Sequence, residues 1–167
     1  DDLTMPRSTL HLAVLLGSGR SQSNTSKVLD LVADELRGLG ATIDVIDPRQ
    51  LPLAVPGFEA KDAPTPLADE LQRRVKASAG VVMVTPEYDG SYSAIMKVLI
   101  EYLGYPSALE GKPVMIVGVA AGRIGAARAI DHLRAVCLHI GAFVLPGMKS
   151  VAEVHKVFGA DGQAAPK

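Results

Sequence analysis

The stretch LHLAVLLGSGRSQSN, Leu10 to Asn24, changes character at Gly17. Ahead of that glycine, Leu10 to Leu16 form an apolar run of the kind found in strands buried on both faces of a parallel sheet. Behind it come small polar residues and one arginine, and then Val28, Leu29, Val32, Leu36 and Leu39 recur at helical spacing. A strand, a tight polar turn and a helix together present backbone N–H groups at the helix start, where the helix dipole stabilises an anion. Arg20 adds a fixed cation, and Ser18, Ser21, Ser23 and Thr25 add hydroxyl donors. Residues 17–25 therefore read as a phosphate cradle. The competing reading is an ordinary strand-to-helix turn with serine caps.

Working outward, the helix is expected to stop near Gly38 or Gly40, and ATIDVID (41–47) reads as a second, more peripheral strand. Residues 48–66 carry prolines at 48, 52, 56, 64 and 66 and read as irregular. Thr65-Pro66 suits a helix start. Leu67, Leu71 and Val75 come next on one face, with Arg73, Arg74 and Lys76 on a solvated side. GVVMVT (80–85) is a third strand, PEYDGSYS (86–93) a polar turn, and Ile95, Leu99 and Leu103 mark a helix ending at Gly104. PVMIVGVA (113–120) is a fourth strand, AGRIG (121–125) a glycine-containing loop, and a helix from about Ala126 to His139 leads to a fifth strand, AFVLP (142–146). The tail holds one short amphipathic piece, Val151 to Phe158.

This alternation predicts a single α/β domain over residues 1–167, with flexible ends at 1–8 and 159–167. Right-handed crossovers favour a doubly wound, five-stranded parallel sheet of order 2-1-3-4-5. Strands 1 and 3 are then neighbours, and a crevice opens between them outside the carboxyl ends of the strands. The loops after strands 1, 3 and 4 all lie at that edge.

Composition narrows the possibilities. With a net charge of −1 the chain has no basic excess to neutralise nucleic-acid phosphates. No apolar run approaches the ~20 residues that span a bilayer, and the first residues are acidic, unlike a signal peptide. A cytoplasmic location is expected. The single cysteine, Cys137, lies in a predicted helix as a buried thiol, so neither a disulfide framework nor a cysteine metal cluster is expected. His11, His132, His139 and His155 read as structural, and no side chain stands out as a catalytic acid or base.

The loop after strand 3, Pro86-Glu87-Tyr88-Asp89-Gly90-Ser91, combines a fixed turn, an aromatic ring and backbone donors freed near a glycine. Such a loop suits a flat heteroaromatic ring. Ala120-Ala121-Gly122-Arg123, after strand 4, lets backbone approach closely because its residues are small.

GSGRSQSNT resembles the GSxR…S-N phosphate motif of NADPH-dependent FMN reductases, and TPEYDGSYSAIMKVLIEYL is similar to their TPEYNGS…LKN…D-L segment. That family includes quinone, azo-dye and chromate reductases. The likeness runs from about Leu10 to Pro146 and includes the LPL after strand 2 and the pattern Arg128, Asp131, Leu133, Arg134. The resemblance implies a flavodoxin-like fold that binds FMN, with Gly17, Ser18, Arg20, Ser23, Asn24 and Thr25 about the phosphate. It assigns Pro86, Glu87, Tyr88, Asp89, Gly90 and Ser91 to the isoalloxazine ring, and Gly122 and Arg123 to its pyrimidine end.

The same resemblance implies a flavin oxidoreductase in which NADPH or NADH passes hydride to flavin N5. Free flavin, a quinone, an azo compound or a metal oxyanion then takes it, by ping-pong exchange. A homodimer or homotetramer is implied too. Arg123 is expected to stabilise negative charge on the reduced flavin. The sequence departs from the family at Asp89, where asparagine is usual, and at Ala121-Gly122, where two glycines are commoner. Tyr92 and Tyr102 read as packing residues, whereas Tyr88 has the position to stack on a neighbouring flavin.

Three rival readings remain. A dinucleotide-binding domain would use Gly17-x-Gly19 with Asp44 or Asp47, but Gln22 stands where its third glycine belongs. A flavodoxin-type electron carrier would lack NAD(P)H activity, and the near-neutral charge counts against it. A non-catalytic binding domain could keep the fold alone.

Overall fold

A computed structural model describes residues 9–54, 66–147, 149–159 and 162–164. Strand β1 (His11–Leu16) leads to helix α1 (Asn24–Gly38), β2 (Thr42–Ile46), a 3-10 turn (Pro48–Gln50) and α2 (Pro66–Ala77). Then come β3 (Gly80–Tyr88), β4 (Ser91–Tyr92), α3 (Ala94–Tyr102), β5 (Pro113–Val119), α4 (Ala127–His139), β6 (Phe143–Val144), β7 (Lys149–Val151) and a 3-10 turn (Val154–Lys156). The backbone path through the sheet is β2-β1-β3-β5-β6, all parallel. Counting only the parallel strands, this is the expected 2-1-3-4-5 order, and the fold is flavodoxin-like.

Side chains alternate along each central strand because successive residues face opposite sides of a sheet. Ala13, Leu15, Val81, Met83, Val114 and Ile116 enter one core, with α2, α3 and α4 packed on them. Val14, Leu16, Val82, Val84, Val117 and Val119 enter the other, covered by α1 and by Val154 of the C-terminal segment. The two-sided burial explains why β1, β3 and β5 read as unbroken apolar runs. It also sends α1 and α3, the helices after the neighbouring strands β1 and β3, to opposite faces.

Three sequence expectations change. The segment 86–93 is not simply a polar turn. β3 extends through Tyr88, and β4 folds back on it in antiparallel register, Tyr88 opposite Ser91 and Glu87 opposite Tyr92. The turn residues Asp89 and Gly90 have φ of 51° and 72°, the successive left-handed pair of a type I′ hairpin.

The fifth strand is not 142–146 but two pieces. Phe143 and Val144 pair with Pro113 and Val114, and Lys149 to Val151 pair with Val117 to Val119. Four residues on the edge thus span what two span on β5, so the strand breaks there.

Arg74 does not face water. Its guanidinium donates to both Asp44 carboxylate oxygens, at 2.9 and 2.5 Å, and to the Val45 carbonyl at 2.8 Å, tying α2 to β2. Other expectations hold. α1 ends at Gly38, and α3 stops just before Gly104. Cys137 is fully buried beside Met83. Tyr92 packs on the core, and the Tyr102 hydroxyl accepts from the Ala54 N–H. Thr65 and most of the proline-rich loop lie outside the described residues.

Candidate active site

The three polar loops leave the carboxyl ends of β1, β3 and β5, which stand side by side in the sheet. At the first, the Gly17 N–H continues the ladder by donating to the Val84 carbonyl at 2.7 Å. A Cβ on Gly17 would come within 3.0 Å of that carbonyl and of Met96 Cε, so only glycine lets the chain turn this close to β3. Past it, the backbone N–H groups of Ser18, Gly19, Ser21, Gln22 and Ser23 find no acceptor among the described residues.

Ser18 and Thr25 are buried, and the Ser18 hydroxyl accepts from the Arg20 N–H at 3.4 Å. Ser23 is the N-cap of α1, its hydroxyl oxygen accepting from the N–H groups of Thr25 and Ser26. The serine-cap reading is thus right for Ser23, whose own hydroxyl proton still has a donor's role to fill. Asn24 opens the helix. The Arg20 side chain is exposed, without an ion pair among the described residues. Unpaired amides, a helix N-terminus and a guanidinium without an ion pair, all at one turn, are donors of the kind that suit an anion.

The second loop is the β3–β4 hairpin. Its side chains divide between two directions. The Glu87 carboxylate accepts from the Ala129 N–H at 3.0 Å, capping α4, and the Ser91 hydroxyl lies 3.0 Å from His132 Nδ1. Gly90 lies beside Arg128. These three residues are therefore turned toward α4. Tyr88 is 41% exposed and Asp89 is open to solvent. The Arg20 guanidinium lies 5.5 Å from the centre of the Tyr88 ring, which joins the first loop to the second. Pro86 is buried in the sheet.

The third loop is held from behind. The Gly122 carbonyl accepts from the N–H groups of Gly125 and Glu153, each at 3.2 Å, and the Ala126 N–H donates to the Ser150 hydroxyl at 2.8 Å. Ala126 gives α4 no side-chain cap, so its first turn is satisfied by Ser150 and Glu87 instead. Arg123 and Ile124 project outward, Ile124 being 89% exposed. A Cβ on Gly122 would touch nothing, so no close approach within the protein explains that glycine.

Sequence reasoning missed Ser150 and the segment around it, as well as Thr85 and Ser93 beneath the hairpin. Thr85 is fully buried; its hydroxyl accepts from the Ser93 N–H at 3.2 Å and donates to the Pro86 carbonyl at 3.0 Å. The Ser93 hydroxyl donates to the Gly17 carbonyl at 2.6 Å and accepts from the Met96 N–H at 3.1 Å. The signal for Ser93 was its place before an apolar helix, where a cap belongs.

The two acids a dinucleotide site would need are already engaged. Hydrogen bonds from Arg74 hold the Asp44 carboxyl below its ordinary value against the opposing effect of burial, and Arg49 does the same for Asp47. Neither offers a free carboxylate to a ribose. The strand order, with β1 between β2 and β3, is not that of the dinucleotide fold either.

A family model described as NADPH-dependent FMN reductase matches residues 10–156. The chain belongs to that family. It is 31% identical to the 2-hydroxy-1,4-benzoquinone reductase of a Burkholderia species over 134 residues, which are 78% of this chain and 72% of that one. To the NADH:(hydroxy)cinnamate reductase subunit CrdA of Vibrio ruber it is 37% identical over 98 residues, 58% of this chain and 47% of the other. The chain thus spans about half the length of that relative. Among solved structures, the flavoenzyme NAD(P)H:(acceptor) oxidoreductase FerB of Paracoccus denitrificans superposes with a TM-score of 0.75 at 26% identity, covering 93% of this chain and 86% of that chain.

Membership in the FMN reductase family makes the protein an oxidoreductase, with FMN as cofactor and a nicotinamide nucleotide as reductant. The residues present fit that cofactor: the amides of Ser18, Gly19, Ser21, Gln22 and Ser23, unpaired among the described residues, and the Arg20 guanidinium suit the FMN phosphate. No helix among the described residues is long and apolar enough to cross a membrane.

Proposed function

We propose that this FMN reductase uses NADPH or NADH to reduce small flat acceptors such as free flavin, quinones or azo compounds, in two half-reactions at one site. The observation that carries the reading is the set of backbone N–H groups of Ser18, Gly19, Ser21, Gln22 and Ser23, unpaired among the described residues, joined by the Arg20 guanidinium, which has no ion pair among them. FMN, when bound, would supply the hydride-transfer chemistry between nicotinamide and acceptor. The chain binds and orients. Ser18, Ser23, Asn24 and Thr25 would hold the phosphate, the Pro86–Gly90 backbone would meet the ring, and Gly122 and Arg123 would meet its pyrimidine end. Tyr88 and Ile124 are exposed apolar side chains on the loops after β3 and β5, available to an aromatic acceptor.

Names of relatives support the acceptor class, among them a quinone reductase of Escherichia coli and an NADPH azoreductase of a Bacillus species. A homodimer or homotetramer and a cytoplasmic location belong to the same reading. Steady-state oxidation of NADPH and NADH with FMN, a quinone or an azo dye tests it. Parallel initial-velocity lines are the expected pattern. Absence of nicotinamide oxidation with every acceptor overturns the activity, and intersecting lines overturn the two-step exchange. Light scattering of the same sample tests the oligomer, and a monomer mass overturns that part.

A further inference from the structure

We propose that Ser93 is a positioning residue for the FMN phosphate turn, holding the one carbonyl of that turn that Pro86 leaves without a donor. The inference rests on the FMN reading and adds a residue to it.

Strand register creates the gap. Leu16 is opposite Val84 and the Gly17 N–H donates to the Val84 carbonyl, so Gly17 is the next rung of the parallel ladder. In such a ladder the Gly17 carbonyl takes its hydrogen from the N–H two residues past Val84. That residue is Pro86, which has none. The Ser93 hydroxyl fills the gap, donating to the Gly17 carbonyl at 2.6 Å from 76 residues away in the chain.

Ser93 is itself fully committed. It is 3% exposed, its oxygen accepts from the Met96 N–H as the N-cap of α3, and its own N–H donates to Thr85. The hydroxyl proton therefore has one direction open, toward Gly17.

Holding that carbonyl has a consequence for the turn. The Gly17 carbonyl and the Ser18 N–H belong to one planar trans peptide and point to opposite sides. Fixing the first fixes the second, which is the first of the unpaired amides in the phosphate turn. Without Ser93 the carbonyl lacks a partner, and the peptide is free to rotate away from the direction that favours an anion.

FMN and riboflavin titrations by flavin fluorescence, with thermal unfolding alongside, test this on the full chain. Riboflavin lacks the phosphate, so it separates the turn from the ring site. Ser93→Gly keeps most of the helix cap but removes the donor. It should weaken FMN binding about tenfold and leave riboflavin unchanged. Ser93→Thr keeps the hydroxyl and should bind FMN as the wild type does. Pro86→Ala placed on Ser93→Gly restores a backbone N–H at the missing rung and should recover FMN affinity. Unchanged FMN affinity in Ser93→Gly, or an equal loss for riboflavin, overturns the positioning role while the FMN reading stands. A wild-type chain that binds no FMN overturns both.

Discussion

The guanidinium of Arg20 lies over the ring of Tyr88, 5.5 Å from its centre, although the two residues belong to turns after different strands. In the proposed FMN site the contact holds the Arg20 cation in place before the phosphate arrives, which lowers the ordering cost of binding. Tyr88→Leu removes the ring face and should weaken FMN binding about threefold to fivefold. Tyr88→Phe keeps the face and should not. Fluorescence titration reads both.

In the proposed FMN site, Asp89 and Arg123 carry opposite charges on neighbouring loops. Both are exposed, on the loops after β3 and β5. Asp89→Asn removes a negative charge and keeps a residue that tolerates the φ of 51° found there, so the hairpin should persist. The midpoint potential of bound FMN should rise, on the order of 20 mV. Arg123→Ala should lower it by a similar amount. An unmoved potential in Arg123→Ala removes that residue's assigned role.

Between β2 and α2, the Asp44–Arg74 pair contributes to acid stability with a definite sign. Arg74's hydrogen bonds depress the Asp44 carboxyl, so the contribution is present above the unfolded value of about 4 and disappears as pH falls through the lower, folded value. Asp44→Asn should cost about 1–2 kcal/mol at pH 7, and the difference from wild type should shrink toward pH 3. Urea unfolding at several pH values measures it.

Cys137 should be inert. It is fully buried, with Met83 Sδ at 3.8 Å, and burial pushes its thiol up to about 12. Native protein should show no reaction with a disulfide reagent at pH 8, and unfolded protein should show one thiol.

The features legible in the sequence are those set by local chemistry. Leu10 to Leu16 and GVVMVT announce strands buried on both faces, and the glycine and serines after β1 announce a tight turn into a capped helix. Asp89-Gly90 was also a hairpin signal, hidden because Pro86 suggested that the strand had ended. Pro86 instead keeps its place in β3, since the donor missing on its β1 side is replaced by Ser93. The remaining departures are long-range pairings that no local pattern encodes. Glu87 turns to α4 because Ala126 provides no cap there. Arg74 leaves the solvated face because Asp44 lies within reach on β2. The fifth strand breaks because its two halves pair with β5 in different registers.

Charge reversal at Arg20, read against FMN and riboflavin together, tests the central claim most directly. The phosphate-turn account predicts that Arg20→Glu weakens FMN binding at least about a hundredfold, while riboflavin affinity stays within about threefold of wild type. FMN affinity unchanged by Arg20→Glu would contradict it.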